Sequence, residues 1–179
     1  MNERFTRYLP TVAKFERRME NQDLLLRLFR LTDVPLLYAL FESGGFSEEH
    51  SAGSRSFISL FSFWRWLTAI FELIYVMVVR GDGDGNVIGF IGLYNITIYK
   101  SLTLSIGIFN KEHRGKGYGK QSVKLLLERL RENATVEKVY AEVSETKLGS
   151  LSFFQAMGFN VCGHHEKKFL LEKFLKEKA

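Results

Sequence analysis

Residues 101–131, SLTLSIGIFNKEHRGKGYGKQSVKLLLERLR, decide how this chain is read. Leu104, Ile106 and Ile108 alternate with Ser105 and Gly107, the period of a half-buried strand. The next eight residues, His113-Arg114-Gly115-Lys116-Gly117-Tyr118-Gly119-Lys120, hold three glycines and three cations. Val123, Leu126, Leu127 and Leu130 then recur at i, i+3, i+4 and i+7, one apolar helix face. The order is strand, glycine-rich basic loop, helix. A loop that opens a helix in this way presents backbone N–H groups, and the helix dipole adds positive potential at the same point. The stretch therefore suits a phosphate or pyrophosphate.

Two standard phosphate loops do not fit. A P-loop needs Ser or Thr after Gly-Lys, and Gln121 follows Gly119-Lys120. A dinucleotide fingerprint needs a different glycine spacing and an early βαβ unit, which are absent. The plainer alternative is a basic turn that only joins strand to helix. The pattern Arg114-x-x-Gly117-x-Gly119 resembles the acyl-CoA loop of the GNAT family of N-acetyltransferases. A second block supports the resemblance. Lys138–Ser144 reads as a strand, and Ser150–Phe159 as a short helix ending in Gly158, with Ser150, Phe153, Phe154, Met157, Gly158 and Phe159 in the family register. Lys147 stands where the family often has Asn, and Phe154 where it often has Tyr. The resemblance covers Ser101–Phe159 closely and Leu24–Arg80 more loosely.

The resemblance implies a mixed α/β fold: a central, mostly antiparallel, twisted sheet flanked by helices. It implies transfer of an acetyl group from acetyl-CoA to a primary amine; no covalent acyl-enzyme is expected, because the one thiol, Cys162, lacks an evident base partner and direct attack by an amine needs none. Arg114, Gly115, Lys116, Gly117, Tyr118, Gly119 and Lys120 would hold the CoA pyrophosphate. Gly107, Ile108 and Phe109 would pair with the amide-rich pantetheine arm as if it were an added strand. Phe153 and Phe154 would line the cofactor, or simply pack in the core. Glu142 is the expected general base, because Ser105 occupies the other position where the family places a carboxylate; a surface ion pair is its alternative. Ser150 is the expected proton donor, with a helix N-cap as its alternative. Phe154 cannot donate a proton, but a thiol of pKa about 8.5 leaves tolerably as thiolate. A non-catalytic acyl-CoA-binding regulatory or interaction domain is the competing reading.

Composition narrows the classes further. Hydrophobic residues make up 46% of the 179 and phenylalanine alone contributes 16, so the chain can bury a core and is not a disordered segment. The net charge of +5 and pI near 9.3 suit an anionic ligand such as CoA. The cations are dispersed, which argues against nucleic acid. Phe57–Val79 is the longest apolar run, but Arg65 and Glu72 interrupt it, so no membrane span is expected. Residues 1–22 read as a solvated, partly helical extension without a signal peptide's apolar stretch. Residues 23–179 read as one catalytic domain, compatible with a homodimer. Cys162 is the sole cysteine, which fits a reducing, cytoplasmic compartment, and it reads as a small buried hydrophobe rather than a nucleophile.

Outward from the deciding stretch, Leu24–Arg30 is an expected strand. Asp33 is expected to cap a helix running through Phe41, with Pro35 in its first turn. Residues 41–56 form a loop, Phe57–Ile70 an aromatic helix, and Leu73–Arg80 and Val87–Lys100 a hairpin joined by Gly81-Asp-Gly-Asp-Gly-Asn86. A last strand falls within Lys167–Lys178. The Asp82–Asn86 turn is not a calcium loop, because Val87 and Leu93 stand where Gly and Glu are required. His164-His165 has no ligand partner at metal spacing, so no metal is expected. Acceptor recognition is expected in 41–70, where Glu42, Glu48 and Glu49 could attract a cation and some of Phe61, Phe63, Trp64 and Trp66 could line a cleft. Its Ser- and Trp-containing segments resemble the RimJ/RimL-like branch, which acts on protein N-termini, and also spermidine and amino-sugar-nucleotide acetyltransferases. The acceptor would be a small molecule or peptide amine.

Overall fold

The computed structural model describes residues 15–40, 60–80, 86–109, 111–133 and 135–175. Numbered among these residues, the elements are strand β1 (Arg18–Glu20), β2 (Leu24–Leu28), a 3-10 turn (Leu31–Asp33), helix α1 (Val34–Leu40), α2 (Leu60–Ile70), β3 (Leu73–Val79), β4 (Val87–Thr97) and β5 (Ser101–Ile108). A second 3-10 turn (Lys111–His113), α3 (Tyr118–Glu132), β6 (Lys138–Ser144), α4 (Leu148–Ala156), β7 (Asn160–His165) and β8 (Lys168–Phe174) complete the order. The strands form one eight-stranded sheet in the order β1-β2-β3-β4-β5-β6-β8-β7. The sheet is mostly antiparallel, with helices beside it. β5 and β6 are parallel, in register from Ser101↔Lys138 to Leu104↔Ala141. Parallel neighbours need a crossover connection, and the loop and α3 supply it.

Chain contacts gather into two compact units, each taking part of β4 and β5. The first holds Arg17–Gly92 and Ile106–Ser122. Every residue of β3 is buried, and Leu24, Leu26, Leu37, Tyr75, Met77 and Ile88 are fully so. Phe71 meets Phe90 edge-on at 5.5 Å, and Phe90 stacks on Phe109 at the same spacing. A side chain at Gly92 would collide with the Phe71 ring, so the glycine makes room for this aromatic series.

Asp33 is buried at the turn into α1. Its carboxylate accepts two 2.7 Å bonds from the Arg27 guanidinium, one to each oxygen. It also accepts the Arg30 backbone N–H at 2.7 Å, reaching back to the residue before the 3-10 turn instead of forward to cap α1 as expected. Arg27 lies on β2, so the fork ties the strand to the helix that follows. That helix packs on α2, where Tyr38 meets Phe63 edge-on at 5.5 Å.

The second unit holds Leu93–Ser105 and Val123 onward. Val123, Leu126, Leu127 and Leu130 are buried on α3, as are Val139, Ala141 and Val143 on one face of β6. β6 pairs antiparallel with β8 along its whole length, and β8 with β7. The β7–β8 turn places Glu166 at φ 47° and Lys167 at φ 62°. Two successive positive φ values are the type I′ geometry that suits the strand twist, here without Asn or Gly.

Three expectations change. The expected partly helical extension contains a strand at Arg18–Glu20, paired with β2. The first expected strand stops at Leu28, because Phe29 and Arg30 turn toward Asp33. The strand expected through Lys100 ends at Thr97, where Tyr99 adopts φ 62° in a turn. Residues 41–56 and the Gly81–Gly85 turn lie outside the described residues.

Removing the Asp33 carboxylate leaves a largely covered guanidinium, 19% exposed, without its partner. Asp33→Ala should therefore cost about 3 kcal/mol or more and lower Tm by roughly 6–12 °C in a calorimetric scan. Burial works to raise the Asp33 carboxyl, but the Arg27 and Arg30 hydrogen bonds and charges outweigh it and hold the group below its ordinary value. Its stabilisation is thus complete above the ordinary carboxylate range and is lost as pH falls through the lowered value. Asp33→Ala should flatten the acid side of a Tm–pH curve.

Candidate active site

The glycine-rich loop begins where β5 ends. The Phe109 N–H donates to Ile88 O at 3.0 Å, which fixes the last residue against β4. Backbone groups alternate along a strand, so Phe109 and Gly107 face β4, and the Gly107 carbonyl lies against Gly89. The backbone groups of Ile106 and Ile108 point to the opposite edge, beyond the stretch of β5 that pairs with β6. Of the three residues expected to meet a pantetheine arm, Ile108 is the one so directed. Ile106 joins it, as the period-2 rule would have indicated.

Arg114 turns its Nε back to donate to Ile108 O at 2.9 Å. Gly115 (φ 76°) and Gly117 (φ 86°) adopt the left-handed conformation, and nothing lies within 4 Å of a side chain at either position. Both glycines are therefore required by backbone conformation, and the space outside them is open. Helix α3 starts at Tyr118, and its first repeating bond runs from Gln121 N–H to Gly117 O at 3.0 Å. The N–H groups of Tyr118, Gly119 and Lys120 precede that bond and have no intrahelical acceptor. Arg114, Lys116 and Lys120 are exposed around them. The Nδ1 of His113 is buried without a hydrogen-bond partner, and its ring sits 5.9 Å from that of Tyr118. Backbone donors and three cations meet the needs of a pyrophosphate.

Asn21 supports this helix start, a role the sequence did not reveal. Its Oδ1 accepts the N–H groups of Asp23 and Leu24, and its Nδ2 donates to Gln121 Oε1 at 3.3 Å. Inside the helix, Ser122 donates to Tyr118 O at 2.6 Å.

In the second unit, Glu142 is exposed on β6, directly opposite Leu170 of β8. Its carboxylate lies 3.4 Å from Lys168 Nζ. The surface pair weighed as its alternative is thus present, and it leaves the carboxylate accessible. Burial first, then the charge of Glu142, pushes the half-buried Tyr94 phenol up to about 12. Tyr94 is a neutral hydroxyl under ordinary conditions, and sequence reasoning passed over it.

Ser150 is exposed in the first turn of α4. The helix begins at Leu148 with Lys147 as its N-cap, so the N-cap alternative for Ser150 is corrected. Lys147 makes no side-chain cap, and burial pushes its amine below the ordinary lysine value. Phe154 is only 4% exposed. It meets Phe153 and Phe159 edge-on, both at 5.2 Å, so the core alternative holds for Phe154 while Phe153 is half-buried. The helix closes with Gly158 N–H on Gln155 O and Phe159 N–H on Phe154 O, with Gly158 at φ 80°. This is a Schellman ending with its hydrophobic contact.

Cys162 is exposed rather than buried, contrary to expectation. Partial burial and the Glu172 charge push its thiol up, which disfavours the nucleophilic thiolate. Among the described residues no group of three His, Cys, Asp or Glu could hold a metal ion, and no helix is long and apolar enough to cross a membrane.

A family model described as an acetyltransferase (GNAT) domain matches residues 23–160. The chain belongs to this GNAT family. Solved structures share the fold. Ribosomal-protein-S5-alanine acetyltransferase from Vibrio fischeri is 17% identical, with TM-score 0.70, covering 90% of this chain and 98% of its own. Mutant forms of the spermidine/spermine N-acetyltransferase SpeG from Vibrio cholerae are 20% identical, with TM-score 0.64, covering 87% and 95%. A GNAT-family acetyltransferase from Bacillus anthracis is 13% identical, with TM-score 0.69, covering 89% and 99%. No curated protein matches the chain by sequence.

Gly149 inside α4 and Gly158 just past its end give opposite expectations. Gly158→Ala forces a side chain into a left-handed position and should destabilise by about 1–2 kcal/mol. Gly149 lies in the helix with open space around it; Gly149→Ala should stabilise by about 0.5–1 kcal/mol. Urea unfolding of both variants measures the pair.

Proposed function

We propose that this GNAT protein transfers an acetyl group from acetyl-CoA to a primary amine by direct attack. Residues 23–179 act as one catalytic domain, of the RimJ/RimL-like kind and in the cytoplasm. The observation that carries the reading is the loop: two left-handed glycines, a helix N-terminus and Arg114, Lys116 and Lys120 converge on one anion site. Acetyl-CoA supplies an activated thioester. The chain's own residues then have three tasks. Gly115–Lys120 bind the pyrophosphate, with the backbone donors of Tyr118, Gly119 and Lys120 turned to it. The outer edge of β5 at Ile106 and Ile108 accepts the pantetheine amides. Glu142 takes the proton that the attacking amine must lose.

For the donor step, Ser150 is exposed and hydroxylated, whereas Phe154 is locked in the core and has no proton to give. General acid catalysis contributes about 10²–10⁴-fold, so its weakness slows the reaction without abolishing it. The acceptor is a protein N-terminus, a polyamine or an amino sugar. Phe154 and Lys147 at positions of family Tyr and Asn favour the second reading, a non-catalytic acyl-CoA-binding domain. Turnover against a panel of amines separates the two: amine-stimulated release of CoA supports the enzyme, and tight CoA binding without turnover supports the module.

Gly117→Asp puts negative charge where the pyrophosphate binds and strains the left-handed position. CoA binding measured by calorimetry should be lost, and parental affinity in that variant would refute the loop assignment. Glu142→Gln keeps the side-chain shape and removes the basicity. It should lower kcat by about 10²-fold or more, with CoA affinity nearly unchanged. Retained kcat from pH ~6 to ~9 would return Glu142 to the surface-pair role.

A further inference from the structure

One face of β6 carries Lys138, Tyr140, Glu142 and Ser144, opposite the buried Val139, Ala141 and Val143. Across the β6–β8 register the same face carries Phe174, Glu172, Leu170 and Lys168. Two ammonium groups meet two carboxylates on it, in different ways. Lys138 Nζ lies 2.8 Å from Glu172 Oε2, 4.2 Å from the centre of the Phe174 ring and 5.4 Å from that of Tyr140. It is held on several sides, with its side chain 24% exposed. Lys168 Nζ has Glu142 at 3.4 Å, and its side chain is 55% exposed.

We propose that Lys168 is the protein's own acetyl acceptor, a self-modification site on Nζ. This rests on the acetyl-transfer reading above, in which Glu142 is the base. An amine already at the base stands where an acceptor's amine must stand to lose its proton. Lys168 is a primary alkylamine, carried on the strand paired with that of Glu142, exposed and held by a long ion pair. Lys138 has the same chemistry, but the Glu172 bond and two aromatic rings hold its ammonium charged. In the transfer, a bond forms between Nζ and the acetyl carbon while the thioester C–S bond breaks. The Lys168 ammonium first gives one proton to the Glu142 carboxylate, which passes it to water, and the neutral amine attacks; the second proton leaves by the same route as the amide forms. The sulfur departs as CoA thiolate and takes a proton from solvent. The product lacks the lysine charge, so it also releases Glu142 from its internal partner.

The test incubates the full-length protein with acetyl-CoA and no added amine, followed by intact mass and peptide mapping. The expected result is one acetyl group on Lys168, none on Lys138, and a rate per molecule unchanged by dilution of the protein. Glu142→Gln and Gly117→Asp should each slow the modification by about tenfold or more. Equal rates in the parent and both variants would identify ordinary surface acetylation and overturn the proposal. Modification of Lys147 in place of Lys168, or a rate that rises with protein concentration, would overturn it as well. An unmodified Lys168 in an enzyme that acetylates added amines overturns the proposal and leaves the function standing. Failure to bind CoA or to turn over any amine overturns both.

Discussion

A parallel pair of neighbouring strands cannot be closed by a tight turn, and the β5–β6 pair imposes that constraint on this chain. The connection must leave the end of β5, travel back and re-enter beside its start. A helix is the economical way to do so, and its N-terminus necessarily lies near the end of β5. The direction of one strand thus puts unpaired N–H donors at one place. Gly115 and Gly117 follow from the same requirement, because the chain must reverse sharply before the helix can begin. The anion site is a by-product of sheet topology that the three exposed cations then exploit.

The Arg27–Asp33 fork plays a comparable part in the first unit. A guanidinium on β2 and a carboxylate at the head of α1 fit each other in a plane, so the pair fixes orientation as well as distance. Such a pair is weak evidence for net stability, since both groups gave up water to form it. Its effect is geometric: it sets how α1 leaves the sheet, and hence where α2 meets α1.

The elements nearest the chemistry were the most legible in the sequence. β5, α3 and β6 follow strict periodicity, and β6 falls on Lys138–Ser144 as read. The glycine loop was legible because its residue types answer a backbone demand. What stayed hidden depends on register between distant strands. Glu142 and Lys168 are 26 residues apart, and no local pattern announces that β6 and β8 will align them. Tyr94 gave no signal because its environment is built by burial and by Glu142. The β7–β8 turn was missed because Glu166 and Lys167 lack the Asn-Gly signature of their own geometry. Ser150 was offered as a cap because its type favours capping, yet the helix starts two residues earlier, at Leu148.

The sheet's two ends have a consequence for how the protein behaves at high concentration. β1, the outermost strand on one side, is three residues long and ends in an Arg18–Glu20 ion pair. β7, outermost on the other side, has an irregular register between Val161 and Gly163 that interrupts its ladder. A flat, regular outer strand would template the addition of another chain; a very short one and a bulged one do so poorly. Among the described strands, both ends of the sheet are thus poor templates for the addition of a further chain.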